Sequence, residues 1–280
     1  MTDKNRNLLV RVVTALILLP LVIWLIWLGG IWFALLLGVA AALCALELNL
    51  LPASLPSPGH KPGDDLSGAA IVSMGGAFLL PLLIEIRFGL VTPNLVLVAV
   101  LMVAFTDTLL FEQELANAPR RVGLAVLGAV YPGLLLSALV RLRQHDRGEW
   151  WIILALTVTW MNDTCAYFAG RAFGTHKLYE RISPSKTVEG AIGGGLGSMA
   201  GAMVVQQLWI PQLQPWGAAL IGAGAALLGP LGDLSESMLK RAFSAKDSGH
   251  LLPGHGGMLD RIDALIFNAP FVLLCARLLT

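Results

Sequence analysis

Apolar runs recur along all 280 residues of the chain, each close to the roughly twenty residues that a helix needs to cross a hydrocarbon core. The stretches that qualify are 8–28, 31–50, 67–86, 93–111, 121–141, 150–170, 188–208, 215–240 and 262–279. Polar segments rich in proline, glycine or charge separate several of them, at 52–65, 112–121, 141–149, 171–187 and 240–261, as expected of connecting loops. The pattern predicts an all-α fold, a polytopic integral membrane helical bundle of about nine transmembrane helices. It forms a single membrane-embedded domain, an N-terminal bundle over 1–145 followed by a C-terminal half over 146–280 that carries the chemistry.

Composition agrees with lipid as the solvent. Apolar residues make up 56% of the chain and charged ones only 13%, against about a quarter in soluble domains. The net charge of +1 comes from bases spread along the chain. No arginine-rich or aromatic-interleaved surface is present, which excludes nucleic acid as a partner. Cys44, Cys165 and Cys275 lie in apolar runs without metal-ligand spacing and read as core residues. The run after Lys4, Arg6 and Arg11 is too long for a signal-peptide core and is expected to remain as the first membrane helix.

The distribution of Lys and Arg places the N-terminus in the cytoplasm, in a bacterium on the inner face of the cytoplasmic membrane. Segments 171–187 and 240–261 fall on that same face. The cluster Arg141, Arg143 and Arg147 falls on the other side and is the exception. Trp24, Trp27, Trp32, Trp150 and Trp151 stand near predicted span ends and read as interfacial anchors.

Three constellations carry candidate chemistry. Asp233, Glu236, Ser237 and Lys240 share one helical face, and Asp260 and Asp263 follow at the start of the last helix. Carboxylates presented by two helices suit a hard divalent cation such as Mg2+, which takes oxygen ligands and shares them with phosphates; interhelical pairing with Lys240 or Arg261 would also account for them. The turn Pro253-Gly254-His255-Gly256-Gly257 permits converging backbone N–H groups next to a helix N-terminus, either as a phosphate cradle or as a tight re-entrant turn. Asn162 and Asp163 sit deep in a predicted span, where an acid is functional by default. Lys177, Ser183 and Lys186 follow, with cations and hydroxyls suited to a polyphosphate. Glu47, Glu85 and Asp107, in or near spans, are assigned no role.

The run Ser237, Lys240-Arg241, Lys246-Asp247, Gly249, Pro253-Gly254-His255-Gly256-Gly257, Asp260-Arg261 and Asp263 resembles the signature of the CDP-diacylglycerol synthases, or phosphatidate cytidylyltransferases. The segment from Asp163 through Gly170, Phe173-Gly174, His176-Lys177, Ser183-Pro184, Lys186-Thr187 and Glu189-Gly190 is similar to the same family. Thr175 and Ser185 depart from the family's usual residues beside these matches. The resemblance implies transfer of a cytidylyl group from CTP to phosphatidic acid with magnesium, and a second monovalent or divalent cation is compatible with it. Asp233, Asp260 and Asp263 would then bind metal, with Lys240 and Arg261 beside them in the reaction. Asn162, Asp163, Lys177, Ser183, Lys186, Ser237, Lys246 and Gly254, His255, Gly256 and Gly257 would hold the substrates. Membrane lipids are the remaining partners, and a homodimer is compatible with the sequence.

Two other readings differ in placement and chemistry. A CTP-dependent kinase for a polyprenol-type lipid would need a base to deprotonate a hydroxyl, whereas phosphatidic acid is already ionised. An ion-coupled transporter would suit the glycine-rich segment from Gly190 to Gly201, but it should hold its charges near the bilayer centre.

Overall fold

A computed structural model of the protein describes residues 3–51, 67–87, 91–112, 114–249, 251 and 256–280. Ten α-helices dominate it: α1 (Asp3–Leu28), α2 (Gly30–Leu50), α3 (Gly68–Ile86), α4 (Pro93–Phe111), α5 (Ala118–Gly128), α6 (Leu135–Arg143), α7 (Gly148–Phe173), α8 (Val188–Trp209), α9 (Pro215–Ala242) and α10 (Leu259–Leu279). A short antiparallel hairpin, β1 (Lys177–Tyr179) and β2 (Ser183–Thr187), lies between α7 and α8. Among the described residues, eight helical segments are long and apolar enough to cross a membrane. The apolar part of α1, Val12–Leu28, is shorter than these. Large side chains such as Leu109, Phe111, Leu196 and Leu227 are exposed, which is stable only where hydrocarbon replaces water. The all-α polytopic membrane bundle expected from the apolar pattern is borne out.

The chain divides into two compact units, Met1–Val140 with Ala242–Arg261, and Arg141–Arg241 with Ile262–Thr280. In the first, α3 packs against α2 and α4. Small residues let these helices approach: a side chain at Gly38 would meet the Phe78 carbonyl at 2.8 Å, and one at Gly133 would meet Ala77 at 2.7 Å. Leu80, Val96, Val100 and Ala129 fill part of the core. Ser67 and Thr92 cap α3 and α4 by accepting from the Ala70 and Leu95 N–H groups. Asp107, nearly buried in α4, accepts from the Ala69 N–H at 3.0 Å and pairs with Arg121 at 2.9 Å, so this membrane-depth acid holds the start of α3.

The fifth predicted span forms as an interrupted helix. A π-helical turn, Ala129–Leu134, joins α5 to α6 around Pro132. Proline lacks the N–H that an α-helix requires at that position, and the wider turn accommodates the missing bond.

In the second unit, glycines set the helix spacing. Gly190, Gly194, Gly197 and Gly201 form a stripe on α8 against α7, where added side chains would meet the Ala166, Asn162 and Met161 carbonyls at 2.9, 2.8 and 3.1 Å and Thr157 at 3.0 Å. Gly222 of α9 lies against the Met199 backbone, and Gly232 against the Asp263 carbonyl. Close packing of backbones through small residues is how membrane helices associate without a hydrophobic driving force. The segment 171–187, expected as a loop, carries the hairpin, with Lys177 opposite Thr187 and Tyr179 opposite Ser183. Strands of three and five residues are too short to show an alternating pattern.

Two of the three arginines that ran against the charge asymmetry have local partners. Arg143 pairs with Glu149 at 3.4 Å, and Arg147 donates to the Trp209 carbonyl at 3.0 Å, at the C-terminus of α8. Trp150 stacks on Trp209 with ring centroids 4.7 Å apart. Trp151 corrects one expectation: it is completely buried and is a core residue rather than an interfacial anchor. Cys44 and Cys275 are buried and Cys165 is half-buried, and none of the three forms a disulfide.

Gly222→Ala should destabilise the protein by about 1–3 kcal/mol, because its Cβ would overpack the α8 backbone. Gly123→Ala, whose Cβ meets nothing within 4 Å, should be neutral or stabilising; thermal unfolding in detergent compares the two.

Candidate active site

The second unit contains a cavity of about 410 Å³, lined by Asn162, Asp163, Ala166, Tyr167, Gly170, Arg171, Leu178, Ser185, Lys186, Thr187, Gly190, Ala191, Pro230 and Asp233. Its volume is in the range of small-ligand sites, roughly 300–1,000 Å³. Each wall has a local cause. The glycines at 170 and 190 bring α7 and α8 together. Thr187 caps α8 by accepting from the Gly190 N–H at 3.1 Å. Glu189 accepts from the N–H and hydroxyl of Thr175 and from the N–H of His176, and bonds the His176 ring at 2.6 Å, fastening the turn before β1 to the start of α8. The hairpin thereby delivers Ser185 and Lys186 to the cavity.

Charge is concentrated on that frame. Lys186 Nζ lies 2.5 Å from Asp233 Oδ2, and the Ser237 hydroxyl donates to Asp233 Oδ1 at 3.3 Å. The Asp163 and Asp263 carboxylates are close enough to repel Asp233 and each other, and Lys186 attracts both. Asp263 Oδ1 also accepts from the Ala264 N–H at 2.7 Å. Carboxylates from α7 and α10 therefore lie within electrostatic reach of the Lys186–Asp233 ion pair on β2 and α9. Such crowding of like charge is stable when a cation or a set of hydrogen-bond donors offsets it. Among the described residues, no group of three or more His, Cys, Asp or Glu side chains is arranged as a metal site by itself. The donor chemistry fits magnesium nonetheless, since magnesium takes one or two carboxylates and completes its shell with water and substrate phosphates.

Asn162 is buried in α7, and its Oδ1 has no hydrogen-bond partner. That acceptor lies against Gly194 in the seam between α7 and α8, where an added Cβ would stand 2.6 Å from it. Lys177 donates from Nζ to the Pro184 carbonyl at 2.6 Å, within the hairpin. Ser183 stands opposite Tyr179 at the hairpin's far end; neither lines the cavity.

Other anticipated residues have different surroundings. Lys240 is buried and paired at 2.9 Å with Glu236, one helical turn earlier. The pair cancels its own charge, so Lys240 brings less net positive charge than its sequence setting suggests. Asp260 belongs to the first unit, where its Oδ2 accepts from the N–H groups of Ser248 and Gly257 at 3.1 and 3.0 Å and lies 3.1 Å from the Ser248 hydroxyl. Lys246 and Arg261 are exposed in the same unit. The anticipated phosphate cradle differs in detail: the N–H groups of Gly257, Met258 and Leu259 are taken by the protein's own carboxylates, Asp260 and Glu47. Gly256 adopts φ +87°, as only glycine readily does. Gly254 and His255 lie outside the described residues.

Tyr167, Arg171 and Thr187 line the cavity without having been singled out as site residues. Arg171 donates to the Tyr167 hydroxyl at 3.3 Å, one turn away on α7. Tyr167 and Arg171 stand four and eight residues beyond Asp163 on the same helix, which was the available signal for those two; Thr187 comes from β2.

The cytidylyltransferase family's sequence profile matches residues 9–279. Phosphatidate cytidylyltransferase of Brucella suis biovar 1 (strain 1330) is 36% identical over 270 residues, 96% of this chain and 93% of that protein. The phosphatidate cytidylyltransferase of Bacillus subtilis (strain 168) is 35% identical over 97% of each chain. That of Staphylococcus epidermidis (strain ATCC 12228 / FDA PCI 1200) is 43% identical over 46% of this chain and 49% of its own. The chain belongs to the cytidylyltransferase family and is an enzyme of the nucleotidyltransferase class. The resemblance carried by the motifs around Asp163 and Asp263 is borne out.

Lys186→Ala should raise the KM for CTP. Loss of a charge-assisted hydrogen bond costs about 1.5–3 kcal/mol, or roughly 10- to 100-fold, and Lys186→Arg should recover part of it in steady-state kinetics.

Proposed function

We propose that the protein is a phosphatidate cytidylyltransferase, converting CTP and phosphatidic acid to CDP-diacylglycerol and pyrophosphate in phospholipid biosynthesis. A phosphate oxygen of the lipid attacks the α-phosphorus of CTP in line, the bond to the β-phosphate oxygen breaks, and pyrophosphate leaves. The nucleophile is already ionised at neutral pH, so no general base is required. Catalysis rests on alignment and on offsetting negative charge that spreads over the transferring group. The observation that carries this reading is the Asp163, Lys186, Asp233 and Asp263 cluster, three of its members lining a ligand-sized cavity in a chain matched to the family over residues 9–279.

In this proposal Lys186 exchanges Asp233 for a phosphate of CTP, and Asn162 offers its buried amide to the nucleotide. Asp233 and Asp263 would hold magnesium, which when bound supplies charge neutralisation at the phosphates. Asp260, already committed to Ser248 and Gly257 through Oδ2, fixes the first turn of α10. Lys246 and Arg261, with Gly254, His255 and Gly256, gather phosphate of lipid or nucleotide, while the Gly257 N–H stays with Asp260; Lys177, Ser183, Ser237 and Lys240 support the segments that bear the cluster. The active-site segments and the N-terminus face the cytoplasm in this reading, at the inner membrane of a bacterium. That side is where CTP is made, and the Lys and Arg distribution supports the orientation.

Purified protein in detergent, given phosphatidic acid, magnesium and CTP labelled at the α-phosphate, should place label in the lipid fraction. Label entering lipid only from the γ-phosphate would instead indicate a kinase. Asp233→Asn and Asp263→Asn should each lower turnover by about a hundredfold or more, as loss of a group that stabilises transition-state charge does; near-normal turnover in both would remove them from the site.

A further inference from the structure

Glu47 is a buried carboxylate in a membrane helix with no part in the scheme above. It lies in α2, 1% exposed, and its partners come from a segment about two hundred residues away. Oε1 accepts from the Met258 N–H at 2.8 Å; Oε2 accepts from the Leu259 N–H at 2.9 Å and from the Ser248 hydroxyl at 2.8 Å. The first N–H groups of any helix have no partner within it, and a residue just before the helix ordinarily satisfies them. Here an acid from a distant helix does so at the start of α10.

The chain around Glu47 is shaped to admit it. A side chain at Gly257 would collide first with the Ser248 hydroxyl and stand 2.7 Å from Oε2, and one at Gly249 would stand 2.9 Å from Oε1. Both positions must therefore be glycine while the carboxylate occupies its place. The Ser248 hydroxyl lies within hydrogen-bonding distance of Asp260 Oδ2 as well as of Glu47. Glu47, Ser248 and Asp260 thus form one polar unit that grips residues 257–259 from both sides. Burying an acid at this depth costs several kcal/mol unless it is fully hydrogen-bonded. A local serine or threonine cap would satisfy the same N–H groups at smaller cost.

We propose that Glu47 is a positioning residue for cytidylyl transfer: it sets the placement of the first turn of α10, on which Asp260 stands, with Asp263 three residues further along the same helix. The proposal rests on the cytidylyltransferase reading of the site. Transfer at phosphorus is sensitive to alignment, and a displacement of about 1 Å can cost a hundredfold in rate. Glu47 does not line the cavity, so its loss should appear in kcat and spare the binding of CTP.

The test compares wild type, Glu47→Gln and the milder Ser248→Ala, in detergent with phosphatidic acid. Glutamine keeps the shape and one acceptor but presents an NH2 group toward Leu259 or Met258. The expected result is a kcat lowered about tenfold or more in Glu47→Gln and by a smaller factor in Ser248→Ala, with KM for CTP within about twofold of wild type. Hydrogen–deuterium exchange, followed without substrate or metal, should accelerate in the peptide covering 256–262 and stay unchanged in α7 and α8. An unchanged kcat in Glu47→Gln, or acceleration of exchange throughout the protein with a lowered melting temperature, would overturn the positioning role. A wild-type protein that transfers no cytidylyl group would overturn the reading beneath it, a result distinguishable from either of those.

Discussion

The structure depends on how carboxylates are kept in a chain whose solvent is mostly hydrocarbon. A charged group at the centre of a membrane helix costs about 2.5–3.5 kcal/mol on insertion scales, so each acid near a span must be matched. Asp107 is matched by Arg121 and the start of α3, Glu236 by Lys240, and Glu47 by the start of α10 and Ser248. Asp163, Asp233 and Asp263 are different. They repel one another beside the Lys186–Asp233 pair, and a cation with its phosphate ligands would relieve that repulsion. The structural acids each face a base or a helix start, whereas the catalytic candidates also face one another.

The spans were legible because twenty apolar residues between polar punctuators have few alternatives. Asp163 was legible for the complementary reason, since an acid inside such a run contradicts its surroundings. The hairpin was not legible, because its strands are too short to show period two. Lys240 shows a different limit. Its partner Glu236 stands at i−4 on a face that the spacing itself defines, yet charge density alone does not say whether a lysine faces a ligand or its own helix.

Glu47 was unreadable from sequence because two of its partners are backbone N–H groups, which carry no residue signature, and the third, Ser248, lies 201 residues away. The trace is indirect: glycines at 249 and 257, where a side chain would crowd Glu47 and, at 257, the Ser248 hydroxyl that Glu47 holds. The glycine-rich turn resembled an anion cradle, and its N–H groups do hold anions, but those seen belong to the protein. The glycines of α8 were equally ambiguous on paper. In the structure they bring α8 against α7 and so frame the cavity beside Asn162 and Asp163.

The central claim, that Asp233 and Asp263 hold a divalent cation against the phosphates of CTP, is tested most directly by electron paramagnetic resonance with manganese as a stand-in for magnesium. Titrating manganese and CTP into the detergent-solubilised protein should yield a bound-metal signal that Asp263→Asn or Asp233→Asn abolishes. A bound signal of wild-type strength in both variants would contradict the account.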